Sequence, residues 1–126
     1  MSGQAYHFRN YAPEPVPYGI DRYTKEVNRL YGVMEKQLTG RPFLAGEYSV
    51  ADMACFPWML RPEALGQDLA AFPSLSRWHA ELKARPAVQR GIAAGAELRA
   101  PALDAEARKV LFGQTAKSVP TRTSGG

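Results

Sequence analysis

The chain has 126 residues, 45% of them hydrophobic and 22% charged, with a formal net charge of +4 at pH 7. That length suits one domain around a single core, and that balance excludes a wholly disordered chain. The 16 lysines and arginines are scattered from Arg9 to Arg122 with no block of five or six, so a solvated, mildly basic surface is expected and a nucleic-acid patch is not.

In chain order, prolines at 13, 15 and 17 each bias the preceding residue away from helix, so APEPVP reads as an extended connector. From position 17 to 38, Ile20, Tyr23, Val27, Leu30, Tyr31, Met34 and Leu38 recur at three- and four-residue steps. They trace the buried stripe of one long helix, with Asp21 and Lys25 paired on its polar side. Thr39-Gly40 ends that helix, Gly40 being free to take the left-handed cap conformation. RPFLAGE then crosses to Ser49-Val50-Ala51-Asp52, a capping box. Ser49 is expected to accept from the backbone N–H of Asp52, while the Asp52 carboxylate accepts from the N–H of Ser49. Tyr48 and Met53 are placed to form a hydrophobic staple across it.

Pro57 is expected to kink this second helix or to end it before Arg61-Pro62. Residues 63–69 read as a short helix or turn. Phe72-Pro73 opens another helix with Leu75, Trp78, His79 and Leu82 on one side, and Ala84-Arg85-Pro86 stops it. A further helix over 86–98 sets Val88 and Ile92 four apart. A weak helix over 104–112 gives way to GQTAKSVPTRTSGG, which is read as a disordered tail. No alternating strand stands between turn signals, so the fold class is all-α, with the helical domain at 18–100 and the weak helix and tail at 101–126.

Candidate chemistry is sparse. Arg22 stands between Ile20 and Tyr23 of the buried stripe, and the residues leave two placements open, solvent or a neighbouring domain. Gln4, Tyr6, His7 and Phe8 combine an amide, a phenol and an imidazole with aromatic walls; they suit a small amphipathic ligand, or equally a set of helix-end hydrogen bonds. Phe56 and Trp78 are assigned to the core, whereas Tyr11 and Trp58 stay open as cleft candidates. Asp52 is already employed by the cap, and replacing it costs roughly 0.5–2 kcal/mol. Cys55, the single cysteine, has no basic neighbour at adjacent helical positions and is assigned to packing, as is His79. One cysteine allows no intrachain disulfide, and no metal site or catalytic residue is assigned. No apolar run approaches ~18 residues, and Met1 is followed directly by polar SGQAYHFRN, so a cytoplasmic protein without a membrane span is expected.

The run LAGEYSVADMACFPW, followed by FPSLSRWHAELKARPAVQRG, resembles the C-terminal helical domain of the glutathione S-transferase family. The marks are the Ser-x-x-Asp box after a Phe-Leu-x-Gly turn, the Pro-x-Leu-x-x-Trp helix and the Arg-Pro-x-Val stop. GQAYHFRNYAPEPVPYGIDRYTKEVNRLYGVMEKQL is similar to the bacterial Nu class, the group with glutathione-dependent disulfide-bond reductase activity. The resemblance implies a glutathione S-transferase C-terminal-like helical bundle and glutathione as ligand. It also implies a small electrophile or disulfide as second substrate, and a homodimer. Arg22 matches the arginine of the family's Tyr-x-Ile-x-Arg-Tyr motif, which implies a guanidinium forked onto a glutathione carboxylate. Family members also carry a thioredoxin-like domain that holds most of the glutathione site, and these 126 residues do not contain it. On the resemblance, residues 1–17 are a truncated first helix plus connector, and Met1 is either an internal methionine or the start of a truncated gene. The chain alone is then expected not to catalyse. The alternative is a stand-alone, non-catalytic helical module for interaction or scaffolding.

Overall fold

The computed structural model describes residues 1–94, 96 and 103–115. They fall in two compact units, Met1–Gly91 and the residues from Ile92 onward. Among the described residues there is no strand, only isolated bridges between Phe43 and Gly46 and between Ala45 and Glu47. No helix among them is long and apolar enough to cross a membrane.

The first unit is built from α1 (Ser2–Asn10), α2 (Pro17–Leu38), α3 (Val50–Cys55), α4 (Pro73–Ala84) and the start of α5 (Pro86–Ala93). Three of these open on proline, which has the helical φ built in and lacks an N–H that the first turn would leave unpaired. Helix α2 ends where Gly40 takes φ 71, as its glycine allows. Phe8 of α1 rests on Gly19 of α2, whereas Ser2 and Gly3 share a cavity with Val27 and Leu30, so the two helices run antiparallel. Val27, Tyr31 and Leu38 of the expected stripe are buried; Ile20, Tyr23, Leu30 and Met34 are half-buried at its edges. The core closes with Leu75, Trp78 and Leu82 of α4 against Phe56, Met59 and Leu65. Each large apolar side chain fully removed from water contributes about 1.5–3 kcal/mol.

Two polar stitches cross from α2 to α4. Phe72 offers no capping side chain to the start of α4, and Glu35 of α2 takes that role. Its carboxylate accepts from the backbone N–H groups of Ser74 at 3.1 Å and Leu75 at 2.8 Å. Burial alone would raise the Glu35 pKa, but these N–H donors outweigh it and the carboxyl titrates below its ordinary range. In return Arg77 of α4 donates to the carbonyls of Leu38, Arg41 and Pro42 at the end of α2.

The capping box of α3 is present. The Ser49 hydroxyl accepts from the backbone N–H of Asp52, as expected, and also from that of Ala51 at 3.2 Å, and the Ser49 N–H donates to the Asp52 carboxylate at 3.0 Å. The staple is replaced. The Tyr48 ring lies 5.6 Å from Phe43 and 3.9 Å from the Arg85 guanidinium, and Met53 stands 54% exposed. The Arg85 cation on the ring face and the Phe43 ring together hold Tyr48 at the entry to α3.

After Cys55 the chain tightens to a 3-10 turn, Phe56–Met59, at the expected proline. Residues 63–69 contain the end of a second such turn, Pro62–Leu65, and Gly66 at φ 70. Helix α5 stops at Ala93, short of the expected 98, just before Gly95, a weak helix former. Leu98 lies outside the described residues. In the second unit α6 (Ala105–Phe112) is capped by Asp104, which accepts from the Ala107 N–H at 2.7 Å; the tail expected beyond 115 lies outside the described residues.

Candidate functional site

Trp58 is the pivot of the candidate surface. Pro57 cannot donate to the preceding turn, and the tightened 3-10 geometry eclipses residues three apart. Phe56 and Met59 therefore turn inward together while Trp58 is left 62% exposed. Its indole lies 4.0 Å from the place a Cβ on Gly3 would occupy, so it leans on the start of α1. Two cavities meet at it. One of about 330 Å³ is apolar and lies beside Val27, Leu30, Val33, Met34 and Cys55. The other, about 250 Å³, is lined by Ser2, Tyr6, Leu60, Leu65 and Arg61.

Tyr6 thus meets Trp58 as a cavity wall, although 52 positions separate them in the sequence. Tyr11 stands edge-on to Tyr6 at 5.2 Å and extends that aromatic surface. Phe8 and His7 behave differently. Phe8 stacks on Tyr23 at 5.4 Å with 14° between the planes, and His7 meets Phe8 edge-on at 5.6 Å. Phe8 is the wedge that joins α1 to α2. Gln4 is exposed on α1.

Arg22 also points outward, its side chain 55% exposed and 3.7 Å from Glu26. Arg29 holds the same carboxylate with two bonds, at 2.8 and 3.0 Å. The Arg29 hydrogen bond is the main cause that sets the Glu26 pKa below its ordinary value. Arg22 is the looser partner and keeps most of its fork of donors for another anion. Arg22, Glu26, Arg29 and Val33 follow at steps of four, three and four, which places them in one row of α2. Arg22 lines neither of the Trp58 cavities; along α2 it stands about 7.5 Å from Val27 at the near end of the apolar one and about 16 Å from Val33 at its far end, so the expected anchor adjoins that cavity without lining it.

Cys55 lines the apolar cavity, half-buried. Burial, and secondarily the Asp52 charge, push its thiol up in pKa. A protonated thiol is a poor nucleophile, in keeping with packing. Asp52 is 0% exposed and accepts from Trp78 Nε1 at 2.8 Å and the Leu44 N–H at 3.1 Å, in addition to Ser49. Burial would raise its pKa; the Trp78 bond and the backbone donors overcome that and lower it. His79 is buried against the Phe56 ring at 5.4 Å. Among the described residues no group of three His, Cys, Asp or Glu side chains is placed to hold a metal ion.

The sequence reading missed Arg61, whose only signal was a cation next to a proline. It also missed that Asp52 serves Trp78 as well as the cap.

A model of the glutathione S-transferase C-terminal domain matches residues 20–86. Among curated proteins, the chain is similar to the disulfide-bond oxidoreductase YfcG of Escherichia coli (strain K12), 43% identical over 93 residues, covering 73% of this chain and 43% of that protein. It is also similar to the disulfide-bond oxidoreductase YghU of the same organism, 39% identical over 99 residues, covering 72% of this chain and 34% of that one. The chain spans less than half the length of these relatives. Among solved structures, a glutathione transferase from Burkholderia graminis with two glutathione molecules bound per subunit matches at TM-score 0.69 and 35% identity, over 75% of this chain and 43% of that one. One from Phanerochaete chrysosporium in complex with oxidized glutathione matches at 0.69 and 35%, over 78% and 47%. The domain match covers more than half of the chain, on the helices just described, and the chain therefore belongs to the glutathione S-transferase family, in the part that forms its C-terminal helical domain.

Proposed function

We propose that this chain supplies the helical half of a Nu-class-like, glutathione-dependent disulfide reductase or transferase. The observation that carries this reading is the similarity to two disulfide-bond oxidoreductases over nearly three quarters of the chain. In this proposal Arg22 holds a carboxylate of glutathione through its unused donors. Tyr6, Tyr11 and Trp58 form the wall for the second substrate, a small electrophile or a disulfide. Thiolate stabilisation belongs to the thioredoxin-like domain that family members carry. Gln4, His7 and Phe8, on the same helix as Tyr6, set how α1 stands against α2 beside that wall. A homodimer in the cytoplasm completes the proposal, and a single cysteine with a raised pKa suits a reducing compartment.

The test is a chimera in which this chain replaces the matching helical segment of YfcG, assayed for glutathione-dependent reduction of a small disulfide. The expected result is turnover, with Arg22→Gln raising KM for glutathione about tenfold, the size of a lost charged hydrogen bond. A chimera with a native helical circular-dichroism spectrum and no turnover would overturn the enzyme reading. It would favour instead a non-catalytic interaction module, for which exposed Met1, Val33 and Trp58 beside the apolar cavity supply a surface. An active chimera in which Arg22→Gln leaves KM unchanged removes the anchor role.

A further inference from the structure

We propose that Arg29 is a positioning residue for Arg22, which it keeps available to an anion by holding the one carboxylate that would otherwise capture it. Among the described residues, Glu26 is the only acidic side chain paired with Arg22, and Arg29 competes for it. Asp21, next to Arg22 in the sequence, is taken by Lys25 at 2.8 Å. The Glu26 side chain is 16% exposed, against 55% for Arg22 and 61% for Arg29. The carboxylate thus has little room to swing, and two freer guanidinium groups divide it between them.

They divide it unequally. Arg29 donates through Nε to one Glu26 oxygen at 3.0 Å and through Nη2 to the other at 2.8 Å, a two-pronged pairing of the strong kind. Arg22 stands 3.7 Å from a single oxygen, beyond hydrogen-bond distance. The helix dictates that order. Side chains lean toward the N-terminus of their helix, so Arg29, three residues after Glu26, leans onto it. Arg22, four residues before Glu26, leans off it toward the start of α2. A carboxylate N-terminal to its cation is also the more stable arrangement on a helix. Arg29 therefore occupies both oxygens, and Arg22 spends no hydrogen bond on Glu26.

Without Arg29 the balance reverses. Both oxygens of Glu26 turn to Arg22, which then takes an incoming anion only after giving up that pair. The weight of an exposed ion pair sets the size of the effect, a factor of about two to five in the availability of Arg22. That the anion is a carboxylate of glutathione rests on the reading above; the competition for Glu26 does not.

The first measurement, on the 126-residue chain, is the rate at which phenylglyoxal modifies Arg22, read residue by residue from peptide masses. Arg29 is exposed, so its replacement leaves the core untouched, and circular dichroism checks that the helix content is unchanged. Arg29→Gln is expected to slow modification of Arg22 about twofold to fivefold. Glu26→Gln is expected not to slow it, and to cancel the effect of Arg29→Gln when the two are combined, because the influence of Arg29 runs through that carboxylate. An unchanged rate in Arg29→Gln overturns the proposal. So does an equal slowing in the Glu26→Gln background, which means that Arg29 acts by its charge alone. In the active chimera, Arg29→Gln is expected to raise KM for glutathione by the same factor with kcat unchanged, and Glu26→Gln to cancel the rise. A KM that depends on Arg22 and ignores Arg29→Gln overturns the proposal as well. Modification rates that follow the expected pattern beside a KM indifferent to Arg22→Gln remove the glutathione anchor and leave the competition standing.

Discussion

Asp52→Ala removes a carboxylate that serves two structures at once. As a helix cap, its loss costs about 0.5–2 kcal/mol. The structure adds a second loss. Trp78 is 0% exposed and its Nε1–H has Asp52 Oδ1 as acceptor at 2.8 Å; a stranded buried donor costs about 1–3 kcal/mol. The Leu44 and Ser49 N–H groups are only part-buried and regain water. The combined expectation is about 1.5–5 kcal/mol, a large share of the 5–15 kcal/mol that holds an ordinary domain. Urea unfolding at neutral pH is the assay, with the slope unchanged and the midpoint lowered. Asp52→Asn keeps an oxygen for Trp78 but turns an amide donor toward the Ser49 N–H, so it is expected to lose about 1–2 kcal/mol. A double-mutant cycle with Trp78→Phe then isolates the pair, with coupling of at least about 1 kcal/mol expected. An Asp52→Ala loss below about 1 kcal/mol, or strict additivity in the cycle, would refute the claim that the carboxylate holds Trp78.

Two further predictions concern titration. Burial, the largest cause, lowers the His79 pKa from its ordinary value, so the unfolded chain takes the proton first as pH falls below about 6.5. Stability is therefore full well above that point and declines as pH falls through and below it; His79→Gln flattens the fall of the unfolding midpoint there, and an unchanged slope discards the idea. Asp52 and Glu35 both titrate below their ordinary range, so their contributions hold above about pH 4 and fade in acid. Glu35→Gln should reduce the acid loss seen in wild type, and identical acid curves would count against the α4 cap. Packing gives one more. A Cβ on Gly19 would stand 2.9 Å from the Phe8 ring, so Gly19→Ala should cost about 1–3 kcal/mol by overpacking and should speed proteolysis at the 11–16 connector. Wild-type stability and cleavage would show that the α1–α2 wedge is slack.

What was legible in the sequence was local. The bounds of α2 were readable because Pro17 fits the first turn and Gly40 fits the left-handed cap, each a property of one residue. The capping box was readable because its members lie three apart. Arg22, Glu26, Arg29 and Val33 follow the helical period, so their shared row needs no tertiary information. The contacts that fix the domain span much longer stretches. Trp78 reaches Asp52 across 26 positions, and Glu35 reaches Ser74 and Leu75 across 39 and 40. No periodicity links such partners; only the packing of α2 against α4 brings them together. Tyr48 shows the same limit in reverse, since its local partner Met53 lost to Arg85, a residue from the far end of α4.

Pro57 joins the two scales. Its missing N–H is a purely local fact, legible from one letter, yet it decides which of Phe56, Trp58 and Met59 faces the core. An α-helix continued through this stretch would rotate 100° per residue and place residues four apart on one face. The 3-10 turn rotates 120° and pairs residues three apart, which sends Phe56 and Met59 inward and leaves Trp58 outside between two cavities. The proline thus reads as a helix breaker in the sequence and acts as the residue that aims the indole. The position of Arg61 follows from the same turn, because it is three residues beyond Trp58 and pinned by the next proline. Two prolines five apart place Trp58 and Arg61 on the lining of one cavity, and neither proline carries any chemistry of its own.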